Sequence, residues 1–448
     1  MSGRSVVVIG FGVTGRAVAR SLLAGGDEVT VFDDAPSADL VAASALGVTV
    51  ERTPPADLLA GRLVGSALVV PSPGVPVGHP VFAAALEAGV PVRSEIELGW
   101  EAAQSADGPA IVAITGTNGK TTVTTLVTAM LQASGVAAVA AGNIGVPLVE
   151  AVASGADVCV AEVSSFQLQF TSAFRPTVSC WLNLSPDHLD WHPTIAHYAD
   201  AKARVWRNQG QGDSAVVNAD DRLVQAAASS IPSGVNIVSF SCRGNATYSY
   251  DGKTLRGPGE QEIVASDHLP RALPHDVANA LAATAVAEAA GASAEGCRSA
   301  LRGAPLLPHR VSLVGSGEGV DWYDDSKATT PASVLAAVAG VQSVVLIAGG
   351  RNKGLDLRVL AAAVPPVRAV VAIGESAGEV VETFKEVVPV KIAGTMEEAV
   401  AVASTLARSG DSVLLSPGCA SFDWYSSYAE RGEQFASIVR SMLAKGEP

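Results

Sequence analysis

Short runs of β-branched and other apolar residues recur along the chain, and each is followed by a glycine-containing turn and an alanine-rich stretch. The runs are SVVVIGFG, AIVAITGTNG, DVCVAEVSS, SVVLIAGGRN, AVVAIGES and SVLLSPG. Strands that are apolar on both faces are typical of parallel sheets, because helices cover both sides of such a sheet. Strands that alternate with helices therefore predict an α/β fold with doubly wound, parallel sheets.

Chain length and composition predict where this α/β architecture divides into domains. With 448 residues, the chain is too long for a single hydrophobic core. Residues 101–110 are small and polar, as in a linker, and residues 301–310 are rich in proline and glycine. We therefore predict three α/β domains, at residues 1–106, 107–307 and 308–448. The motifs below and the resemblance that they carry imply that the first and third are Rossmann-like and that the central one contains a phosphate loop.

Charge and hydropathy exclude several classes of function. A net charge of −14 and a pI near 5.0 argue against nucleic-acid or anionic-membrane binding, which require a basic surface. No apolar run is long enough to span a bilayer, and the N-terminus leaves no room for a signal peptide before its first strand. The five cysteines are scattered without metal-binding spacing, so we expect a reduced, cytoplasmic protein with structural cysteines.

The first predicted strand ends in a glycine motif that is typical of a phosphate site. Gly10, Gly12 and Gly15 form a G-x-G-x-x-G between a strand and a helix, and Asp33 and Asp34 end the next strand. Such glycines let the backbone approach a phosphate, which the helix N-terminus binds through its N–H groups. The pattern fits NAD or a UDP diphosphate equally well, and an ordinary tight turn is the alternative. The turn VPSPGVP adds two further candidates, Ser72 and Gly74.

The central stretch TGTNGKTT resembles a phosphate loop that is shorter than usual. The standard signature would place its first glycine at position 114, which is Ile114, whereas the available glycine is Gly116. The stretch nevertheless lies between an apolar strand and a helix, as a phosphate loop must. Lys120 would neutralise phosphate charge, and the hydroxyl of Thr121 or Thr122 could bind Mg²⁺.

This compact loop resembles the ATP loop of the Mur ligase superfamily, which includes folylpolyglutamate synthase. Further motifs follow in that family's order over nearly the whole chain: GNIGVPL, AEVSSFQL, NLSPDHLDWH, HYADAKARVW, LPHR, YDDSKATTPAS, IAGGRNKGLD and LLSPGCASFDWYSSYAERGEQF. Within the family, the chain is most similar to the D-glutamate-adding branch.

The resemblance implies an ATP-dependent amide ligase of peptidoglycan precursor synthesis. It would add D-glutamate to UDP-N-acetylmuramoyl-L-alanine through an acyl phosphate and release ADP and phosphate. The three predicted domains would bind the UDP substrate, ATP and the amino acid in chain order. The resemblance further implies small-molecule partners only, no membrane insertion, and a monomer.

Residue roles are carried over from the matching motifs. Predicted ATP contacts are Gly116, Thr117, Asn118, Gly119, Lys120, Thr121, Thr122, Asn279, Arg310, Asp325 and Lys327. Predicted UDP-substrate contacts are Val13, Thr14, Asp33, Asp34, Ser72, Gly74, Asn143 and Ser164. Predicted D-glutamate contacts are Thr329, Lys353, Ser421 and Tyr428. Two Mg²⁺ sites would use Thr121, Glu162, His188 and Lys202, and the catalytic residues would be Lys120, His188, Lys202 and Arg310.

Lys202 has the most unusual implied role. In the family, the lysine of this motif reacts with CO₂ to form a carbamate, whose carboxylate helps to hold Mg²⁺. That reaction requires a neutral amine, so the site must lower the pKa of the lysine. Without the resemblance, a solvated lysine on a helix is the simpler interpretation.

The sequence departs from the family at three positions. Asp276 replaces an asparagine that would contact adenine, and a carboxylate only accepts hydrogen bonds where an amide also donates. Asp34 and Ala35 replace the threonine and arginine of one familiar version of the uracil site. These substitutions leave the details of adenine and uracil recognition open.

Two other functions compete with this interpretation. The N-terminal glycines alone would fit an NAD-dependent oxidoreductase, but that function gives the central loop and Lys202 no role. Another ligase of the superfamily, such as a folate-polyglutamate enzyme, would not need an N-terminal nucleotide-binding domain.

Overall fold

The computed structural model describes residues 3–34, 40–105, 108–189 and 191–446. Its contacts divide the chain into two compact units. The first consists of Met1–Leu184, Ala196–Ala265 and Asn279–Arg302. The second consists of Ser185–Ile195, Ser266–Ala278 and Gly303–Pro448. No helix in the described residues is long and apolar enough to cross a membrane.

The N-terminal sheet is parallel, with strand order β3-β2-β1-β4 among the described residues. Its strands are β1 (Ser5–Ile9), β2 (Glu28–Asp33), β3 (Val50–Arg52) and β4 (Leu68–Pro71). Its helices are α1 (Val13–Ala24), α2 (Leu40–Leu46), α3 (Ala56–Leu63), α4 (Pro80–Glu87) and α5 (Glu95–Ala102). Side chains alternate across β1: Val6 and Val8 pack with α1 residues, whereas Val7 and Ile9 pack with α3 and α4 residues. Both faces of β1 are therefore buried, and its carboxyl end lies beside that of β4.

A larger sheet forms the middle of the first unit, with strand order β13-β12-β11-β10-β9-β8-β5-β7-β6 among the described residues. Its strands are β5 (Ala110–Thr115), β6 (Ala138–Gly142), β7 (Val158–Glu162), β8 (Val178–Trp181), β9 (Ser214–Asn218), β10 (Asn236–Ser241), β11 (Tyr248–Tyr250), β12 (Thr254–Arg256) and β13 (Glu262–Ala265). The accompanying helices are α6 (Lys120–Ala133), α7 (Leu148–Ala151), α8 (Ser165–Gln169), α9 (Ile195–Ala203), α10 (Arg222–Ala228), α11 (Pro274–Ala289) and α12 (Ala294–Gly303). Strands β11 to β13 pair antiparallel and are joined by short connections.

The second unit contains the third sheet, with strand order β14-β15-β19-β16-β17-β18 among the described residues. Its strands are β14 (Ser312–Gly317), β15 (Val320–Asp324), β16 (Val344–Gly349), β17 (Val367–Ile373), β18 (Val390–Ile392) and β19 (Ser412–Leu415). Its helices are α13 (Pro331–Val338), α14 (Ala377–Phe384), α15 (Met396–Leu406) and α16 (Tyr428–Gly446). All its pairings are parallel except the β14–β15 hairpin, and separate apolar clusters cover its two faces.

The predicted fold class is confirmed. Each of the quoted apolar runs forms a strand, namely β1, β5, β7, β16, β17 and β19, and each lies in a parallel part of a sheet. The predicted linker at residues 101–110 contains the end of α5 and the start of β5, and positions 106 and 107 lie outside the described residues. The boundaries at about 106 and 308 stay a prediction.

Candidate nucleotide and substrate sites

The TGTNGKTT segment connects β5 to α6 as a tight glycine turn. Gly116 and Gly119 have φ angles of +158° and +85°, and Gly119 is the N-cap of α6. A side chain at Gly119 would be disfavoured by its backbone, and its Cβ would lie 2.5 Å from Oδ1 of Asn279. Asn279, which was predicted to contact ATP, therefore packs directly against the loop.

Asn183, which belongs to none of the predicted sites, holds this loop in place. Its side chain accepts a hydrogen bond from the Asn118 amide at 2.8 Å and donates one to the Asn118 carbonyl at 3.0 Å. Its own carbonyl accepts from the Thr117 amide at 3.1 Å. Asn183 follows β8, the sheet neighbour of β5, and this position at the carboxyl end of a parallel strand was the available signal.

Both lysines predicted for this site lie against the loop. Nζ of Lys120 donates to the carbonyls of Gly116 and Thr117, both at 2.9 Å. Nζ of Lys202 donates to the Gly116 carbonyl at 2.9 Å and to Oγ1 of Thr115 at 3.3 Å. The two amino groups therefore share the Gly116 carbonyl at the centre of the loop.

Lys202 is 1% exposed, so its interpretation as a solvated lysine is wrong. It lies one helical turn after Tyr198 on α9, which places both side chains on the same face. Its Nζ is 4.7 Å from the centre of the Tyr198 ring, and the Tyr198 hydroxyl is 3.4 Å from Oγ1 of Thr117. The tertiary structure thus buries this amine between an aromatic ring and the phosphate loop.

Glu162 ends β7, which pairs in register with β5 beside the loop. It is 2% exposed; Oε1 accepts from the Asn143 side chain at 2.9 Å, whereas Oε2 is buried without a hydrogen-bond partner. A buried carboxylate oxygen without a partner is costly unless a cation binds it. This orphaned oxygen fits Mg²⁺, although no group of three or more His, Cys, Asp or Glu in the described residues could by itself hold a metal ion.

His188, the third predicted metal ligand, lies in the second unit. Its φ of +54° is unusual for a residue with a side chain, and its carbonyl accepts hydrogen bonds from the amides of Trp191 and His192. Nε2 of His188 is 3.3 Å from Oδ2 of the neighbouring Asp187.

A cavity of about 540 Å³ opens between the N-terminal glycine motif and the segment that follows β6. Its lining includes every predicted UDP-substrate residue except Ser164, namely Val13, Thr14, Asp33, Asp34, Ser72, Gly74 and Asn143. Its volume is in the range of small-molecule sites. The hydroxyl of Ser164 instead caps α8 through a reciprocal contact with Gln167, and Ala35 lies outside the described residues.

The glycines beside this cavity have different roles. A Cβ at Gly15 would lie 1.9 Å from the Gly10 carbonyl, so the fold itself requires Gly15. A Cβ at Gly12 would meet nothing within 4 Å, and Gly12 has an ordinary φ of −71°. Gly12 caps the N-terminus of α1 beside the cavity, where the absent side chain leaves the N–H groups open to an anion.

The two acidic residues at the end of β2 also have different roles. Oδ2 of Asp33 accepts from the Phe11 amide at 2.6 Å and so holds the glycine turn. Asp34 faces His79, whose Nε2 is 3.4 Å from Oδ1 of Asp34. Because Nδ1 of His79 accepts from the Val81 amide, Nε2 carries the proton and donates to Asp34. His79, which belongs to none of the predicted sites, also lines the cavity.

In the second unit, the predicted D-glutamate residues all lie on segments that follow strands β15, β16 and β19. Thr329 and Lys353 follow β15 and β16, and both are half-buried. Ser421 follows β19 and is 2% exposed, and a backbone bridge between Arg351 and Ala420 joins its segment to that of Lys353. These strands are neighbours in the sheet, so their carboxyl ends form one edge, where open α/β sheets bind ligands.

Lys327 and Tyr428, which were assigned to different ligands, lie in contact. Nζ of Lys327 is 3.8 Å from the centre of the Tyr428 ring. Arg431, which the sequence analysis missed, is 1% exposed and donates to Oγ and the carbonyl of Ser326 and to the Cys419 carbonyl. Burial lowers the pKa of Arg431 to about 10. This buried guanidinium joins the segments that carry the predicted nucleotide and D-glutamate residues.

Asp325 is a buried carboxylate whose oxygens the protein itself occupies. Oδ2 accepts from the Ser416 hydroxyl at 2.7 Å, and Oδ1 accepts from the Val311 amide at 3.2 Å. Burial raises the pKa of Asp325 to about 7. An ATP contact for this residue stays a prediction.

Asp276 takes a role that the sequence analysis did not foresee. Its carboxylate forms a two-point ion pair with Arg271, with distances of 2.7 Å to Nε and 2.8 Å to Nη2. It also accepts from the Leu273 amide at 3.1 Å. An asparagine at this position could not replace the aspartate, because an amide does not offer two charged oxygen atoms to the Arg271 guanidinium.

Three protein-family models match successive parts of the chain. Residues 4–94 match the Mur ligase MurD-like, N-terminal domain. Residues 114–287 match the Mur ligase middle domain, and residues 309–419 match the Mur ligase, glutamate ligase domain.

Curated relatives match at nearly full length. A UDP-N-acetylmuramoylalanine--D-glutamate ligase from Frankia casuarinae is 41% identical over 98% of this chain and 94% of the relative. One of the same name from Syntrophotalea carbinolica is 40% identical over 99% of both chains. Among solved structures, the UDP-N-acetylmuramate-alanine ligase from Thermotoga maritima has a TM-score of 0.61 at 18% identity, covering 98% of this chain and 99% of that one. This last likeness concerns the fold alone.

Proposed function

Because this chain belongs to the Mur ligase family, we propose that it carries out the reaction for which its curated relatives are named. It is an ATP-dependent ligase that joins D-glutamate to UDP-N-acetylmuramoyl-L-alanine, a step in peptidoglycan precursor synthesis. Its substrates are small molecules, one chain provides all three ligand sites, and we propose that it acts as a monomer in the cytoplasm. The domains divide at about residues 106 and 308, and each provides most of the contacts to one ligand.

One observation supports this function most strongly. The cavity at the N-terminal glycine motif extends to Asn143, and Asn143 donates to Glu162 beside the phosphate loop. A substrate whose nucleotide end lies near Gly12 therefore has its other end directed towards the ATP site. An oxidoreductase would use the glycine motif but would give Lys120, Glu162 and the loop no function.

The reaction begins with attack of the terminal alanine carboxylate of the UDP substrate on the γ-phosphorus of ATP. The new O–P bond replaces the bond to ADP and gives an acyl phosphate. Negative charge accumulates on the phosphoryl oxygens, so positive groups around them lower the barrier. Lys120 and Arg310 provide that charge, the loop from Gly116 to Thr122 binds phosphate through its amides, and Asn279 contacts adenine.

Thr121, Glu162 and His188 would hold Mg²⁺, with a carbamate on Lys202 completing the ligands of a second ion. The metal would screen the charge of the phosphates. The orphaned Oε2 of Glu162 supports this assignment. Burial of Lys202 supports the carbamate, because desolvation favours the neutral amine that reacts with CO₂.

The second step joins the amine of D-glutamate to the acyl phosphate. The amine nitrogen attacks the carbonyl carbon, phosphate leaves, and the amine loses a proton as the amide forms. The charge of Lys353 and the hydroxyl groups of Ser421, Thr329 and Tyr428 suit an amino acid with two carboxylates. An amino acid without the second carboxylate would leave buried donors unpaired, at a cost of roughly 1–3 kcal/mol each.

Steady-state ADP release with UDP-N-acetylmuramoyl-L-alanine and a series of amino acids tests this function. D-Glutamate should exceed D-alanine, L-alanine, L-lysine and L-glutamate in kcat/KM by more than about 100-fold. Turnover with L-alanine equal to that with D-glutamate would overturn the substrate assignment. Product formation with an acceptor that lacks the UDP group would overturn the role of the N-terminal cavity.

A further inference from the structure

Arg310 lies in a turn whose backbone is strained on both sides. His309 and Val311 have φ angles of +59° and +48°, in the left-handed region that disfavours residues with a Cβ. For Val311 the branched Cβ makes this conformation still less favourable. Such a backbone persists only where the surroundings fix it, and such turns are frequent at functional sites.

Hydrogen bonds hold each residue of this turn. The His309 carbonyl accepts from the Lys327 amide at 3.1 Å, and the Val311 amide donates to Asp325 at 3.2 Å. The remaining carbonyls, those of Arg310 and Val311, both accept from Nη1 of one side chain, Arg271. Arg271 therefore contacts two consecutive carbonyls, those of the peptides on either side of Val311.

The orientation of Arg271 is fixed by its other nitrogens. Nε and Nη2 form the two-point ion pair with Asp276, and Nη2 also lies 3.4 Å from Nε2 of His275. Nδ1 of His275 faces the Ala336 carbonyl at 3.3 Å and donates to it, so Nε2 can accept from Arg271. Burial lowers the pKa of His275, which agrees with a neutral ring.

We propose that Arg271, oriented by Asp276, is a positioning residue for Arg310: it fixes the strained turn so that the Arg310 guanidinium meets the transferring phosphate. This inference rests on the proposed function, in which Arg310 supplies positive charge to the phosphoryl group. It also accounts for the acid at position 276, where the family resemblance predicts an asparagine. A carboxylate fixes a guanidinium at two points, and a misplaced cation loses much of its effect on the transition state.

A double-mutant cycle separates positioning from a general loss of structure. Arg271→Met should lower kcat for ADP formation by about 100-fold and leave KM for UDP-N-acetylmuramoyl-L-alanine within about twofold. In the Arg310→Ala background, measured under single-turnover conditions, Arg271→Met should change the rate by less than about twofold, because its target is gone. Rates that fall by the same factor in both backgrounds would overturn the positioning role.

Further variants test the geometry and the fold. Arg271→Lys keeps the charge but cannot contact Asp276 at two points and both carbonyls, so its kcat should also fall, while its urea unfolding midpoint stays close to that of the unaltered chain. A kcat restored by lysine would count against the proposal. Asp276→Asn should lower kcat in the same direction, and an unchanged kcat would count against the orienting role of the acid.

A matched control comes from Arg256, whose Nε is also 2.7 Å from an aspartate, Asp251, on the β11–β12 hairpin. Arg256→Met should leave kcat unchanged, and a loss equal to that of Arg271→Met would mean that any broken ion pair lowers the rate. Failure of the proposed function is a separate result. It would appear as absence of ADP formation by the unaltered chain, whereas ADP formation with a normal kcat in Arg310→Ala would overturn only the role of Arg310 and the positioning role of Arg271.

Discussion

Alanine substitutions at the two ends of α6 test whether the phosphate loop requires glycine for its backbone or for the space beside it. Gly119 and Gly135 have nearly equal φ angles, +85° and +82°. A left-handed backbone costs alanine about 1 kcal/mol relative to glycine. A Cβ at Gly135 would meet nothing within 4 Å, whereas a Cβ at Gly119 would lie 2.5 Å from Oδ1 of Asn279. Gly135→Ala therefore isolates the backbone cost.

The crowding at Gly119 has a separate cost. Ordinary contact begins at about 3.4 Å, so the Asn279 side chain must retreat by roughly 1 Å. Such a shift in a packed site costs roughly 1–3 kcal/mol. We therefore expect Gly119→Ala to lose about 2–4 kcal/mol of unfolding free energy, against about 1 kcal/mol for Gly135→Ala. Because Asn279 is the proposed adenine contact, KM for ATP should rise in Gly119→Ala alone.

Urea unfolding followed by circular dichroism, together with steady-state ADP release, measures both effects. Equal losses of stability in the two variants would show that the Asn279 side chain moves at no cost. An unchanged KM for ATP in Gly119→Ala would remove the adenine role of Asn279. If Gly135→Ala also raised KM, the change would reflect movement of the whole helix.

Lys120→Ala should lower the rate of ADP formation by about 100- to 1000-fold and leave binding of the UDP substrate, measured by calorimetry, nearly intact, because the cavity does not contain Lys120. Lys202→Ala should lose most activity and regain part of it with a small carboxylic acid; a fully active Lys202→Arg would refute the carbamate. Burial raises the pKa of Glu95 to about 7 from 4.5. Because this pKa is higher in the folded chain, Glu95 favours the folded state most below about pH 4.5, where its carboxyl is protonated in both states. This stabilisation of ~3 kcal/mol is lost as the pH rises through about 7. Glu95→Gln should remove this part of the pH dependence in urea unfolding at a series of pH values, and an unchanged profile would contradict it.

The sequence predicted the placement of residues that form a turn together with their immediate neighbours in the chain. Gly10, Gly12 and Gly15 lie between β1 and α1, and Gly116 to Thr122 lie between β5 and α6, as their patterns predicted. A turn between a strand and a helix depends on a few consecutive residues, so its composition is sufficient to locate it.

Residues that act through distant partners could not be assigned in this way. Lys202 lies on a helix whose sequence pattern suits a solvated lysine, yet in the folded chain its Nζ donates to the Gly116 carbonyl. Asn183 and His79 form no motif with the residues that they position. The effect of each depends on which strands are neighbours in a sheet, and strand order is not encoded in the local pattern.

The sequence by itself determined the fold class, the order of the motifs and the positions of the two glycine turns, because hydrophobic periodicity and glycine positions act over short stretches of chain. Only the tertiary structure decided that Lys202 is buried, that one oxygen of Glu162 has no partner, and that Asp276 binds Arg271. The physical reason is that burial and ion pairing depend on what lies nearby in space, and Arg271 reaches the turn around Arg310 across some 40 residues of chain.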